Sequence, residues 1–307
     1  MTMPRCLLIF LLLLLASCVR VDDNDDVVIA SLRGPSSLGM LRVIDSINVP
    51  VLNEPLQVRK MMLDGSADFA VLPSNMAALL YNKGVDYRLV AVSTWGTLYL
   101  CGSHDISSWD DLKGKKVYLM AKGMTPDVLF RHLLVKNGLT PYEDVDLDYR
   151  FPTHIDLANA TTAGLADLSV ISEPYLSYAL MKNPSLKILM SLHDEWEKAE
   201  DIALPETAFV CKGEIADNDP ELVDDIVRAY RRSAEWVNAN VSEAAALAVR
   251  HGIIADTAAA RNSIPRSNIK VVDAADARHD MENYLKVLYD FDPDIIGGKM
   301  LDEEYYR

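Results

Sequence analysis

Residues 55–84 read PLQVRKMMLDGSADFAVLPSNMAALLYNKG, and this stretch decides the fold. Pro55 to Leu63 carries apolar residues at helical spacing behind a proline, which is favoured in the first turn of a helix. Asp64-Gly65 ends that helix, because glycine takes the left-handed backbone of a helix exit without a Cβ penalty. Ala67 to Leu72 is a short apolar run, the pattern of a strand buried on both faces. Pro73-Ser74-Asn75 then starts another helix, which runs to Tyr81 and is closed by Lys83-Gly84. Helix, buried strand and helix in succession predict an α/β chain with a largely parallel sheet and helices on both faces.

The same grammar extends outward. Upstream, Val27 to Leu32 reads as a strand, Gly34-Pro35-Ser36-Ser37 breaks it, and Leu38 to Ile47 reads as a short helix. Downstream, Arg88 to Ser93 and Thr97 to Cys101 are further strands. After Asp110 the pattern restarts. Strands are expected at Lys116 to Met120, Asp146 to Phe151, Leu168 to Ile171 and Lys187 to Met190. Helices are expected at Asp127 to Asn137, His154 to Ala163 and Tyr175 to Met181. Beyond Leu204-Pro205 one strand remains, Thr207 to Cys211. The tail is then almost wholly helical (Pro220 to Asn240, Ser242 to His251, Ala277 to Tyr289) and is expected to pack back on the two α/β units.

The N-terminus bears on location. Arg5 precedes the apolar run Cys6 to Leu15, and Leu15-Ala16-Ser17-Cys18 follows. A basic start, a short greasy core and small residues make a secretory signal, too short to span a bilayer. Its ending resembles a bacterial lipobox, so residues 1–17 are expected to be removed and Cys18 acylated. Val19 to Asp26 is then an acidic tether, and the working protein sits outside the cytoplasm on a lipid anchor. The net charge of -15 without a basic cluster argues against nucleic-acid binding. Of four cysteines, Cys101 and Cys211 remain in short apolar runs, as either free buried thiols or a disulfide. The six histidines are scattered, so no metal site is expected, and no motif calls for a cofactor.

Ligands of open α/β sheets bind beyond the carboxyl ends of the strands. Four loops there lead into helix starts, whose free N–H groups and dipole favour an anion or polar oxygen. They are Arg33-Gly34-Pro35-Ser36-Ser37, Pro73-Ser74-Asn75, Lys122-Gly123-Met124-Thr125 and Ser172-Glu173-Pro174-Tyr175. Each also reads as ordinary capping chemistry, but four of them split between two units predict a cleft. Arg33 and Lys122 are candidates to pair with an anion; Glu173 holds an amino group or charges its helix start; Trp95 stacks on a ring or fills a hinge.

At these loops the chain resembles a known family. Asp111-Leu112-Lys113-Gly114-Lys115-Lys116-Val117 is similar to the D-L-K-G-K-x-V signature of extracellular solute-binding proteins of ABC importers. Asp64-Gly65-Ser66-Ala67-Asp68 and Ala163-Gly164-Leu165-Ala166-Asp167 resemble the paired G-x-(A/V)-D elements of the nitrate/sulfonate/taurine and thiamine-pyrimidine-precursor branch, and Glu173-Pro174 its E-P. The resemblance implies a two-lobed, type II periplasmic-binding-protein fold with two hinge crossovers. Lobe one would hold 27–103 and 207–307, and lobe two 104–206. It implies a monomer that captures a small polar ligand, anionic or heteroaromatic, by hinge closure and delivers it to a membrane permease. It also implies that Cys101 and Cys211 lie near one another at the hinge, where a disulfide could join them. The same scaffold carries thiamin-degrading and menaquinone-pathway enzymes. The alternative is therefore catalysis, with Cys101 as nucleophile beside His104 and Asp105.

Overall fold

The computed structural model of the protein describes residues 27–307; the expected leader, the acylated Cys18 and the tether lie outside the described residues. The first part of the chain forms β1 (Ile29–Leu32), α1 (Pro35–Gly39), β2 (Val51–Leu52), α2 (Pro55–Leu63), β3 (Phe69–Pro73), α3 (Ser74–Asn82) and β4 (Tyr87–Thr94). The middle forms β5 (Leu98–Gly102), β6 (Lys116–Tyr118), α4 (Thr125–Lys136), β7 (Asp146–Asp148), α5 (His154–Thr162), β8 (Leu168–Ser172), α6 (Tyr175–Lys182), β9 (Lys187–Ser191) and α7 (Leu192–Glu200). The last part forms β10 (Thr207–Lys212), α8 (Gly213–Asn218), α9 (Pro220–Ala239), α10 (Val241–Arg250), α11 (Thr257–Ser263), β11 (Ile269–Asp273) and α12 (Ala274–Phe291).

Two sheets result, ordered β11-β4-β10-β3-β1-β2 and β7-β6-β8-β5-β9. Within the first, β1 runs parallel to β2 and β3. In the second, β6 runs parallel to β7 and β8. The largely parallel expectation fails at particular strands. β10 is antiparallel to both its neighbours, β3 and β4, and β5 is antiparallel to both of its own, β8 and β9. These two strands enter each sheet from the other one, so they run against the local βα units. β5 is bonded into the second sheet. The outward passage therefore lies at 95–97, earlier than the 103/104 boundary expected from the sequence. The return passage runs through 201–206.

Burial explains the strand choices. β3 and β10 are apolar on both faces because helices cover both sides, and Phe69 meets Phe209 across them at 5.6 Å. Tyr230 of α9 sets its edge on Phe209 at 5.3 Å. The helix expected over 38–47 stops at Gly39. There α1 passes so close to Tyr230 that a Cβ would stand 2.8 Å from its ring, and turns follow. Five elements went unanticipated: the two-residue β2, α7, started by the Ser191 cap, the short helices α8 and α11, and the edge strand β11 inside the supposedly helical tail. The tail does pack back. Tyr284 of α12 meets Trp196 of α7 edge-on at 5.8 Å, which ties this helix of the first sheet's side to the second.

Candidate functional site

The four helix-start loops meet in two pairs between the sheets. In one pair, the Thr125 hydroxyl of α4 donates to Asn75 Oδ1 of α3 at 3.3 Å. Tyr284 OH in turn donates to Thr125 Oγ1 at 3.2 Å. This relay fixes the Asn75 amide with its oxygen occupied, leaving the NH₂ end as the donor. In the other pair, Gly34 touches Pro174: a Cβ at Gly34 would stand 3.6 Å from the proline Cδ. Gly34 sits at φ +121, a backbone that L side chains rarely adopt, and lets β1 turn sharply into α1. Ser74 is pinned to the return passage, its hydroxyl on the Pro205 carbonyl at 2.6 Å and its N–H on the Glu206 carbonyl at 3.0 Å.

The expected residues divide by environment. Ser36, Ser37, Ser74, Asn75, Thr125 and Glu173 are buried among these loops, and Pro35, Gly123 and Tyr175 are partly buried beside them. Ser37 is occupied locally, its Oγ accepting from Gly34 N–H at 3.1 Å. Tyr175 stacks on His154 at 5.7 Å, and His154 Nδ1 lies 2.9 Å from Ser172 Oγ. Desolvation lowers the His154 imidazole to about 4, although the residue as a whole is exposed at the surface. Burial also raises the Tyr175 phenol, with Glu54 and Arg33 of the facing sheet among the charges that reach it.

Three candidates turn elsewhere. Arg33 Nε donates to Asn53 Oδ1 at 2.6 Å, and its Nη1 donates to the Gly252 carbonyl. Lys122 lies over the rings of Tyr149 and Tyr142 at 5.2 and 5.9 Å, and the neighbouring Met124 is half exposed. Trp95 Nε1 donates to the Lys270 carbonyl at 2.8 Å, and its ring lines a separate cavity beside the outward passage.

Glu173 is the main surprise. Its side chain is fully buried and paired with Arg266, Nε to Oε1 at 2.5 Å, while its other oxygen accepts from Ser177 N–H at 3.1 Å. Arg266 Nη2 also donates to Ser177 Oγ at 2.7 Å, and Tyr99 OH donates to the Arg266 carbonyl at 2.7 Å. Desolvation raises the Glu173 carboxyl against the opposing pull of Arg266. Neither reading of Glu173 foresaw this partner, because its signal is the burial of the glutamate, which the sequence does not display. Glu206, also missed, holds Thr97 at the start of β5: it accepts the N–H at 2.6 Å and the hydroxyl at 2.9 Å. Burial raises its carboxyl as well.

The cysteines correct another expectation. Cys101 and Cys211 are both free and buried, and no disulfide joins them. Each lies toward the far end of its crossover strand, Cys101 in the second sheet and Cys211 in the first, so the two point into different cores. Desolvation pushes both thiols up to about 12, which leaves little thiolate for nucleophilic attack at neutral pH. His104 is held by Asp167 at 3.0 Å. Among the described residues, no group of three or more His, Cys, Asp or Glu is placed to hold a metal ion. No helix of the described residues is long and apolar enough to cross a membrane.

A family model described as NMT1/THI5 like matches residues 46–244. YtlA, a candidate binding protein of Bacillus subtilis, is 24% identical over 182 residues, which is 57% of this chain. The match spans about half (52%) of that curated relative's own length. A crystal structure of an ABC transporter from Parabacteroides distasonis is 28% identical and superposes with a TM-score of 0.82, covering 92% of this chain and 98% of that one. The periplasmic aliphatic sulphonate binding protein SsuA from Escherichia coli is 17% identical, with a TM-score of 0.71 over 90% of this chain and 93% of its own. At that identity, SsuA shares the fold.

Proposed function

Because the chain belongs to the NMT1/THI5-like family, we propose that it is the extracytoplasmic solute-binding protein of an ABC importer. One lobe comprises 27–96 with 207–307 and the other 97–206, and the two close about the passages at 95–97 and 201–206. The single observation that carries this reading is the meeting of the four helix-start loops in two facing pairs. A ligand held there touches both lobes at once, so binding favours the closed state. The donors on offer are the Asn75 amide, the Ser36 hydroxyl and the free N–H groups at the starts of α3, α4 and α6. They suit a small polar ligand with an oxyanion or a hydrogen-bonding heteroaromatic ring. The sulphonate named for the Escherichia coli neighbour fits the same donors. An acyl group on Cys18 keeps the protein beside its permease and raises the effective concentration.

A thermal-shift panel of alkanesulfonates, nitrate, aminopyrimidines, vitamins and amino acids tests the reading. A ligand at about 100 times its Kd adds about 2.7 kcal/mol, and recovery of the unchanged compound supports binding. A compound consumed in the assay moves the protein to catalysis. No shift with any class removes the small-solute reading. Labelled palmitate incorporated in the wild type and lost in Cys18→Ser tests the anchor.

A further inference from the structure

Beside the outward passage, away from the paired loops, lies a cavity of about 700 Å³. Its walls come from both halves of the molecule. Glu197 stands on α7, Lys270 on β11, Asp276 and Asp280 on α12, and Trp95 on the passage itself. Trp95 is only 7% exposed and its indole N–H is fixed on the Lys270 carbonyl, so the ring forms a rigid apolar wall. Ile264 and Val272 extend that wall. The charges around it are unbalanced. Glu197 is taken up by His193, which also lines the cavity (Nε2 to Oε1 at 3.3 Å), while two carboxylates, Asp276 and Asp280, face one ammonium, Lys270, and among the described residues none of these three has an ion-pair partner within 4 Å. Burial raises the Asp280 carboxyl, against the opposing pull of His279, the Ala203 N–H and Lys270.

We propose that this cavity is a second ligand site, taking a small organic ammonium ion between the Trp95 ring and the carboxylates of Asp276 and Asp280. An ammonium beside an indole gains cation–π attraction, and a carboxylate gains a charge-assisted hydrogen bond. An anion is turned away by the two unpaired carboxylates. The cavity spans elements of both sheets, so its occupant bears on their relative position and thereby on the loop pairs.

Titration calorimetry of the protein with choline and 1,4-diaminobutane tests this, with 3,3-dimethylbutan-1-ol as the neutral counterpart of choline. At least one cation binds, and the alcohol binds at least about tenfold more weakly. Asp276→Asn with Asp280→Asn weakens the cation by about tenfold or more. Asp276 is exposed and Asp280 half-buried, and circular dichroism checks the fold of the pair. Lys270→Met removes the competing charge and tightens binding by about threefold, a gain of function that misfolding does not mimic. Absence of binding by both cations, equal binding of the alcohol, or an affinity unmoved in both variants overturns the proposal. None of these results touches the loop-pair reading, which the solute panel tests separately.

Discussion

Replacing Arg266 by methionine strands Glu173. The glutamate side chain has no solvent exposure and that of the arginine has 28%. In the variant the carboxylate keeps the Ser177 N–H at 3.1 Å but loses its guanidinium at 2.5 Å. Removing one partner of a buried pair costs about 3–5 kcal/mol. The retained N–H and the part-exposed arginine place this case near the lower end, about 3 kcal/mol. A chain of this size unfolds with an entropy of about 0.6 kcal/mol/K, so the melting temperature falls by about 5 °C. The pH dependence has a definite sign. Desolvation already holds the folded-state carboxyl above its ordinary value, and loss of Arg266 raises it further. A carboxyl with a raised folded pKa favours folding when protonated and disfavours it as pH rises through that pKa. The deficit is therefore full above the variant's raised folded pKa and shrinks as pH falls through it, because both folded forms then carry a protonated Glu173. Adding Glu173→Gln removes the unpaired charge and recovers part of the loss. Urea and thermal unfolding of the two single variants and the double provide the cycle. A deficit below about 1 kcal/mol, a deficit flat with pH, or a double variant as unstable as the sum of the singles refutes the reasoning.

Three further predictions concern other parts of the molecule. Gly96→Ala costs about 2–4 kcal/mol, because Gly96 sits at φ +87 with its would-be Cβ 2.8 Å from His193; Gly84→Ala, at φ +86 with nothing within 4 Å, costs only about 1–2 kcal/mol by chemical denaturation. Asn75→Ala weakens whichever solute the panel identifies by about tenfold or more while lowering stability by about 1 kcal/mol, the loss of one buried hydrogen bond; unchanged affinity in calorimetry contradicts the loop-pair site. Cys101 and Cys211 resist a thiol reagent in the native protein at neutral pH and both react in denaturant, whereas rapid native labelling of Cys101 would revive a nucleophilic role.

The sequence made the α/β units legible because each break was written in residues with a local cause. Pro55, Gly65, Pro73 and Gly84 bound their helices as capping chemistry requires. Parallel or antiparallel pairing was not legible, since β5 and β10 are apolar on both faces and carry no mark of direction. The loops of the site were visible for the same reason as the helices: they are helix starts. Partners distant in sequence were not, as with Arg266, 93 positions from Glu173. Trp95 shows a related limit, because an aromatic beside a glycine marks a hinge without saying which side of it the ring faces.

The reversed strands also order the birth of the fold. Among the described residues β10 is the only link between β4 and β3 in the first sheet, and it is made more than a hundred residues after both. Until residues 207–212 emerge, β3 and β4 present open edges with no partner between them, the kind of surface that templates aggregation. A chain stopped at residue 206 can assemble the second sheet, whose five strands are already complete, but not the first. The half made first is therefore the half finished last. A holding factor acting on the nascent chain has its task set by the two strands still to come, β10 and β11.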